Sequence, residues 1–283
     1  VIYEPQRLLI LNLIHLEEEN MGRKITGLMM SLLVLGFISS CKPAEKPAEK
    51  PAAEVKHEVQ WGYQGEGAPA NWAKLKPEFA LCGDGMSQSP IDVEKTYRTK
   101  LDKIEFAYKE TPLKIINNGH AIQVNYEPGS FVTIDGQKFE LLQFHFHAPS
   151  EHTVKGAFYD MEMHLVHKND RGDLAVVGVF MKKGKANKVI EALWNNLPKE
   201  IDKENTIDGL SVNASGLLPA DTKYYHYYGS LTTPPCSEGV SWSVLKTPVE
   251  VSEEQIEQFR KVMGFDNNRP VLPLNKRFVL ESQ

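Results

Sequence analysis

The residues best suited to chemistry lie in one short run, Gln143-Phe144-His145-Phe146-His147. On an extended strand alternate side chains share a face, so Gln143, His145 and His147 point one way and the two phenylalanines the other. Two imidazoles spaced like this can chelate one metal ion. A second run, Glu162-Met163-His164-Leu165-Val166-His167, puts Glu162, His164 and Val166 on one face and Met163, Leu165 and His167 on the opposite one. Pairing these strands would bring His164 beside His145 and His147. Three neutral imidazoles leave the fourth position of a tetrahedral ion open, which is the arrangement of a catalytic rather than a structural zinc. Gln143 and Glu162 each precede a histidine by two residues on the same face, where they can bond to the outer ring nitrogens. His152 and His167 read as packed, hydrogen-bonded histidines, and His226 has no assigned role.

Positioning these groups requires a sheet. Residues 115–124, with an Asn117-Asn118-Gly119 turn signal, and 131–134, closed by Asp135-Gly136, read as strand segments. So do residues 139–147, 161–167, 174–181 and 240–245. Only 186–196 and 252–263 read as helices, the second opening on Ser252-Glu253-Glu254-Gln255, a capping-box pattern. Many strands, few helices and no βαβ alternation predict a mainly β, single domain. Its core would be a large, twisted, mostly antiparallel central sheet with a few short peripheral helices.

Composition sets the outer bounds. The 283 residues are 41% hydrophobic and 24% charged, which excludes a wholly disordered chain and a multi-span membrane protein. A net charge of −5, from 32 basic and 37 acidic side chains, argues against nucleic acid as a partner. Three cysteines are too few for a disulfide scaffold or an all-cysteine zinc site.

The front of the chain reads as export machinery. Met21-Gly22-Arg23-Lys24 resembles a start with a basic n-region, and residues 25–38 form an apolar run suited to a signal peptide. Ile38-Ser39-Ser40-Cys41 resembles a bacterial lipobox, with Cys41 as the lipidated residue. A repeating Lys-Pro-Ala-Glu tether follows, too poor in apolar side chains to fold. Residues 1–40 are thus expected to be an upstream extension and signal segment, 41–56 an anchor and tether, and 57–283 the folded domain. Export places that domain in the periplasm or at the cell surface, touching a membrane only through its lipid.

The histidine runs, read with their neighbours, resemble the α-class carbonic anhydrases. The resemblance spans residues 61–278. Its landmarks occur in order: Trp61-Gly62-Tyr63, Ser87-Gln88-Ser89-Pro90-Ile91, Asn117-Asn118-Gly119-His120, the 143–147 run with Ser150-Glu151-His152, the 162–167 run, Tyr228-Gly229-Ser230-Leu231-Thr232-Thr233-Pro234-Pro235-Cys236 and Asn268-Arg269-Pro270. The resemblance implies reversible hydration of carbon dioxide to bicarbonate and a proton, through attack by zinc-bound hydroxide. It implies that His145, His147 and His164 hold Zn2+, supported by Gln143, Glu162 and the Asn267 carbonyl. Thr232 would accept from the hydroxide while donating to Glu151, and Thr233 would help to place bicarbonate. Val166, Val176, Leu231 and Trp242 would line the pocket for carbon dioxide. Tyr63 and Tyr227 would order water towards His120, the proton shuttle. Cys82 and Cys236 would form a disulfide. Sulfonamide or anion inhibitors are expected to bind, and a homodimer is an open assembly state. Gln123 stands where a common animal form has a smaller amide, and Asn268 where it has an aromatic residue.

Three rivals fit less well. A cupin-type dioxygenase shares His145-x-His147-x3-Glu151, but Gly156 arrives too early for that motif. A metallo-β-lactamase-type hydrolase would need an aspartate and histidine where Ala148-Pro149 stand. A catalytically impaired, carbonic-anhydrase-like binding module would be expected to lack ligands that are all present here.

Overall fold

The alternation of apolar and polar residues is realised as a twelve-stranded sheet accompanied by a small three-stranded one. The computed structural model describes residues 59–283, so the signal run, Cys41 and the Lys-Pro-Ala-Glu tether lie outside the described residues. In chain order the strands are β1 (Asp92–Val93), β2 (Tyr97–Thr99), β3 (Glu105–Ala107), β4 (Thr111–Asn117), β5 (Ile122–Asn125), β6 (Phe131–Ile134), β7 (Gln137–His147) and β8 (Thr153–Val154). They continue as β9 (Ala157–Phe158), β10 (Met161–Lys168), β11 (Leu174–Lys183), β12 (Glu204–Val212), β13 (Tyr224–Ser230), β14 (Glu238–Val251) and β15 (Leu280–Ser282). The large sheet runs β12-β4-β5-β7-β10-β11-β14-β13-β15-β2, with β6 also on β7 and β3 on β6. Its pairing is antiparallel except at β11–β14 and β15–β2. The expected mostly antiparallel architecture is therefore observed, with two parallel junctions that no sequence signal marked.

One irregularity in β7 aims the histidines. Val166 pairs with Gln143 but His167 pairs with Leu141, so Leu142 is an extra, exposed residue. This β-bulge changes the parity of the strand. Phe139 and Leu141 before it share a core with Phe144 and Phe146 after it, and 143, 145 and 147 turn to the opposite face. Burying each phenylalanine contributes about 2–3 kcal/mol. The strand thus anchors the histidine face by its other side.

The first core also takes Met161, Met163 and Leu165 from β10 and Ala175, Val177 and Val179 from β11. It is covered by α3 (Lys188–Trp194) and α4 (Glu253–Met263), which follow two helical turns, α1 (Trp72–Leu75) and α2 (Leu81–Asp84). In α4, Ile256, Phe259 and Met263 are buried at helical spacing. The predicted capping box is made by Ser252 and Gln255, and Gly264 closes the helix at a φ of 73°. A second apolar cluster contains Val176, Phe180, Tyr227, Val240, Trp242 and Val244, the alternate residues of the same sheet. Cys82, at the end of the segment before β1, forms a disulfide with Cys236 after β13.

His167 faces the first core, as expected of a packed histidine. Its Nδ1–H donates to the Ala175 carbonyl at 3.3 Å, and the Tyr108 hydroxyl donates to Nε2 at 2.7 Å. Burial pushes its pKa down to about 3, against smaller opposing effects of nearby backbone groups. In the unfolded chain the ring titrates near 6.5, so below that pH the unfolded state binds the extra proton. The neutral ring's stabilisation is therefore full above about pH 6.5 and is lost as pH falls towards 3, by about 1.4 kcal/mol per pH unit. Urea unfolding of the native protein and of His167→Gln between about pH 6 and 4 checks this. The native protein should lose stability more steeply by close to one proton's slope, and equal slopes would contradict it.

Candidate functional site

Strand pairing brings the three predicted ligands together. His164 in β10 is directly opposite His145 in β7, and Glu162 is opposite His147. The ring centroids lie 5.0, 5.3 and 4.6 Å apart, and one nitrogen from each ring falls within 4.8 Å of the others. Their outer nitrogens are all engaged, which fixes which atoms face inward. His145 Nδ1 donates to Gln143 Oε1 at 2.8 Å, and His147 Nδ1 donates to the Asn267 carbonyl at 2.7 Å. His164 uses Nε2 instead, donating to Glu162 Oε1 at 2.9 Å. That leaves Nε2, Nε2 and Nδ1 as lone-pair donors turned towards one point. His147 Nε2 is buried without a hydrogen-bond partner, a state that costs about 1–3 kcal/mol unless something accepts its lone pair. Burial, with the neighbouring imidazoles, holds His145 well below the usual histidine range and also lowers His147, so both rings stay neutral as metal ligands must. The donor set fits a divalent metal ion.

Glu162 does more than orient one ring. Its Oε1 also accepts from His152 Nδ1 at 2.7 Å, and its Oε2 accepts from the backbone N–H groups of Glu151 and His152 at 2.9 and 2.8 Å. Burial opposes its ionisation, but the imidazole N–H groups of His152 and His164 directed at it outweigh that and hold the carboxyl well below its usual range. His152 in turn accepts at Nε2 from the Tyr227 hydroxyl at 2.6 Å, and Ser89 Oγ lies 2.8 Å from that hydroxyl. The structure differs from the expectation that Tyr227 orders water towards His120: its hydroxyl is committed to two buried partners and braces the His152–Glu162–His164 chain from behind.

Asn267 was expected to contribute only its carbonyl. Its side chain also donates to the carbonyls of His120 and Phe146 at 3.0 and 2.9 Å and accepts from the Ala148 N–H at 2.9 Å. It therefore ties the His120 turn to the metal strand, a role that no local motif signals. Glu151 Oε1 accepts from the Arg269 N–H at 2.7 Å, and Oε2 lies 3.6 Å from His147 and 3.8 Å from His164. The expected hydrogen bond from Thr232 to Glu151 is not made. The Arg269 amide holds one oxygen and turns the other towards the imidazoles, where it has no hydrogen-bond partner among the described residues.

The remaining predicted residues surround this centre. Val176 and Trp242 are buried in the second apolar cluster, with Val166 and Leu231 packed against it. The Trp242 indole donates to the Ser230 carbonyl at 2.9 Å, and the Cys236 N–H donates to the Thr233 carbonyl at 2.9 Å, so the threonine loop is held at both ends. Thr232 is buried and Thr233 half-buried. His120 is half-buried and stacks on Trp61, with centroids 3.6 Å apart and planes 13° from parallel. Burial lowers its pKa from the ordinary value, and Asp202 opposes the shift. The Tyr63 hydroxyl is buried without a partner. His152, Glu162 and His164 also satisfy the distance test for a metal cluster. Their hydrogen bonds to one another account for that proximity.

Fold and site together define a β-sheet enzyme with a three-histidine centre suited to a metal. The eukaryotic-type carbonic anhydrase family matches residues 67–283. A carbonic anhydrase of Klebsiella pneumoniae is 47% identical over 224 residues, which are 78% of this chain and 90% of that protein. A hyperthermostable carbonic anhydrase identified from an active hydrothermal vent chimney is 52% identical, with a TM-score of 0.77 over 79% of this chain and 100% of that one. The α-carbonic anhydrase of Thermovibrio ammonificans, solved with the inhibitor sulfanilamide, is 48% identical, with a TM-score of 0.76 over 78% and 98% of the two chains. The chain belongs to the eukaryotic-type, or α, carbonic anhydrase family.

Replacing Glu162 by Gln presents an amide N–H2 to a site built of N–H donors. Glu162→Gln should lower the unfolding free energy by about 3 kcal/mol and weaken metal binding by roughly 10–100-fold. Denaturant unfolding and competition with a chromophoric chelator measure the two effects. A variant with unchanged stability and metal affinity would contradict the assigned role.

Proposed function

We propose that the domain catalyses reversible hydration of carbon dioxide to bicarbonate and a proton at a zinc ion held by His145, His147 and His164. The observation that carries this reading is the convergence of three imidazole rings whose outer nitrogens are all engaged. Zinc, when bound, supplies the Lewis acidity that makes water a nucleophile near neutral pH, an effect established for carbonic anhydrases as a class. Everything else falls to the chain.

Carbon dioxide is small and has no charge or hydrogen-bond donor. Its place is an apolar wall, and Val166, Val176, Leu231 and Trp242 supply one beside the centre. Glu151 Oε2 has no hydrogen-bond partner among the described residues, and the proposed reaction requires the Thr232 hydroxyl to turn and donate to it during turnover. A hydroxyl that donates there keeps its own oxygen as an acceptor towards the cleft, which orients the attacking water. Thr233 holds an oxygen of bicarbonate. His120, whose pKa is lowered by burial, stays neutral at neutral pH and can take the product proton, and its stack on Trp61 keeps the ring at one stable position. Export belongs to the same proposal: the 25–41 run, together with a disulfide that persists only outside a reducing cytosol, supports a domain tethered through Cys41.

Stopped-flow carbon dioxide hydration by the zinc-loaded protein tests the reading. The native protein should contain one zinc per chain, hydrate carbon dioxide and be inhibited by sulfanilamide. His120→Ala should retain zinc, turn over at least about tenfold more slowly in dilute buffer, and recover when imidazole is added. A zinc-loaded, folded protein without hydration activity would overturn the function, and an unchanged rate in His120→Ala would overturn the shuttle.

A further inference from the structure

The loop that carries Thr232 and Thr233 closes on itself through two backbone bonds. The Leu231 N–H donates to the Ser237 carbonyl at 3.0 Å, and the Cys236 N–H to the Thr233 carbonyl at 2.9 Å. Residues from the segment before β1 then grip its two feet. At the first foot, the Ser89 N–H donates to Ser230 Oγ at 2.9 Å and the Ser230 N–H donates to Ser89 Oγ at 3.1 Å. At the second, Gln88 Nε2 donates to the Cys236 carbonyl at 3.0 Å, and Cys82 is joined to Cys236 by the disulfide.

All three gripping residues share one partner. Arg269 is 2% exposed. Its Nη1 donates to Gln88 Oε1 at 2.9 Å and to the Ser89 carbonyl at 2.7 Å, and its Nη2 donates to the Cys82 carbonyl at 2.8 Å. Each acceptor is a neutral carbonyl, so a full positive charge is buried where no ion pair is made with its hydrogen-bond partners, a costly arrangement to keep for packing alone. What the guanidinium supplies is a rigid planar fork that aims several N–H groups in fixed directions at once. The backbone N–H of the same residue holds Glu151 Oε1 at 2.7 Å. Burial lowers the guanidinium pKa from its ordinary value and the Glu151 carboxylate opposes that shift, so the two buried charges also offset one another.

We propose that Arg269 is a positioning residue for the hydration step: its side chain fixes both feet of the threonine loop while its main chain fixes Glu151, and this sets the spacing across which the Thr232 hydroxyl reaches Glu151 Oε2. The inference rests on the reaction proposed above. It assigns to one side chain the register between two groups that the chain places about eighty residues apart.

Stopped-flow carbon dioxide hydration, with rates taken per zinc-loaded molecule, tests this on two variants. Arg269→Lys keeps the charge and loses the fork. Gln88→Met keeps Arg269 and its hold on Glu151 and removes the donor to Cys236. Arg269→Lys should lower kcat/KM about tenfold or more and Gln88→Met about threefold, as expected of small misplacements at a reacting centre. Added imidazole should restore neither, in contrast to His120→Ala. In a Thr232→Ala background Arg269→Lys should cost less than about threefold, because the hydroxyl it places is already gone. Amide hydrogen exchange at Leu231 and Cys236 should be about tenfold faster in Arg269→Lys with zinc bound. If Arg269→Lys does not fold, Gln88→Met carries the same tests in both backgrounds. An active native protein whose variants match it per zinc, or show native exchange at both amides, overturns the proposal and leaves the reaction standing. So does the full loss persisting in Thr232→Ala, or rescue by imidazole, which would place the defect in proton transfer. A native protein without hydration activity overturns the proposal together with the reaction it rests on.

Discussion

The structure turns on one buried carboxylate. Taking an ionised carboxyl out of water costs several kcal/mol even after the protein relaxes. Glu162 meets that cost with four N–H donors, two from the backbone of residues 151 and 152 and two from the rings of His152 and His164. Each bond does a second job. The backbone pair holds the turn that carries Glu151. The His164 bond selects the tautomer that leaves Nδ1 for a metal. The His152 bond extends through Tyr227 to Ser89 and so connects the centre to the segment before β1. Room for the carboxylate comes from Gly178, opposite His164 in β11, where a Cβ would stand 3.1 Å from Glu162 Oε1.

Around that carboxylate the sheet acts as a ruler. One row across it reads Gln123, His145, His164 and Gly178, and the next reads Gln143, Val166, Val176, Trp242 and Tyr227. Metal ligands and the apolar wall thus occupy neighbouring rows on one face, set by register rather than by loops. The bulge at Leu142 makes this possible, because it lets β7 keep four large apolar residues in the opposite core while turning its last three odd-numbered residues to the metal. Precision in the site comes from packing on the side that has no chemistry.

Much of this was legible in the sequence because it follows from a period of two. His145, His147, His164, Gln143 and Glu162 each needed only the rule that alternate residues share a face, and the capping box of α4 needed only local spacing. What remained hidden depends on contacts distant in the chain. The Asn267 side chain reaches residues 120, 146 and 148, more than a hundred positions away, and no pattern near Asn267 announces it. The bracing role of Tyr227 is not legible either, because its hydroxyl partners, Ser89 and His152, meet only in the folded sheet. The strands β12 and β13 escaped notice for a different reason. In β12 exposed residues dominate, so alternation is weak, and β13 is a run of aromatics with no polar face to contrast.

X-ray absorption at the zinc edge of the metal-loaded protein tests the central claim most directly, since it reads the donor atoms themselves. Three imidazole nitrogens at about 2.0–2.1 Å and one further light atom are predicted. A site containing a carboxylate oxygen with only two imidazoles would place the ion among His152, Glu162 and His164, and would contradict an account in which Glu162 holds ligands and does not become one.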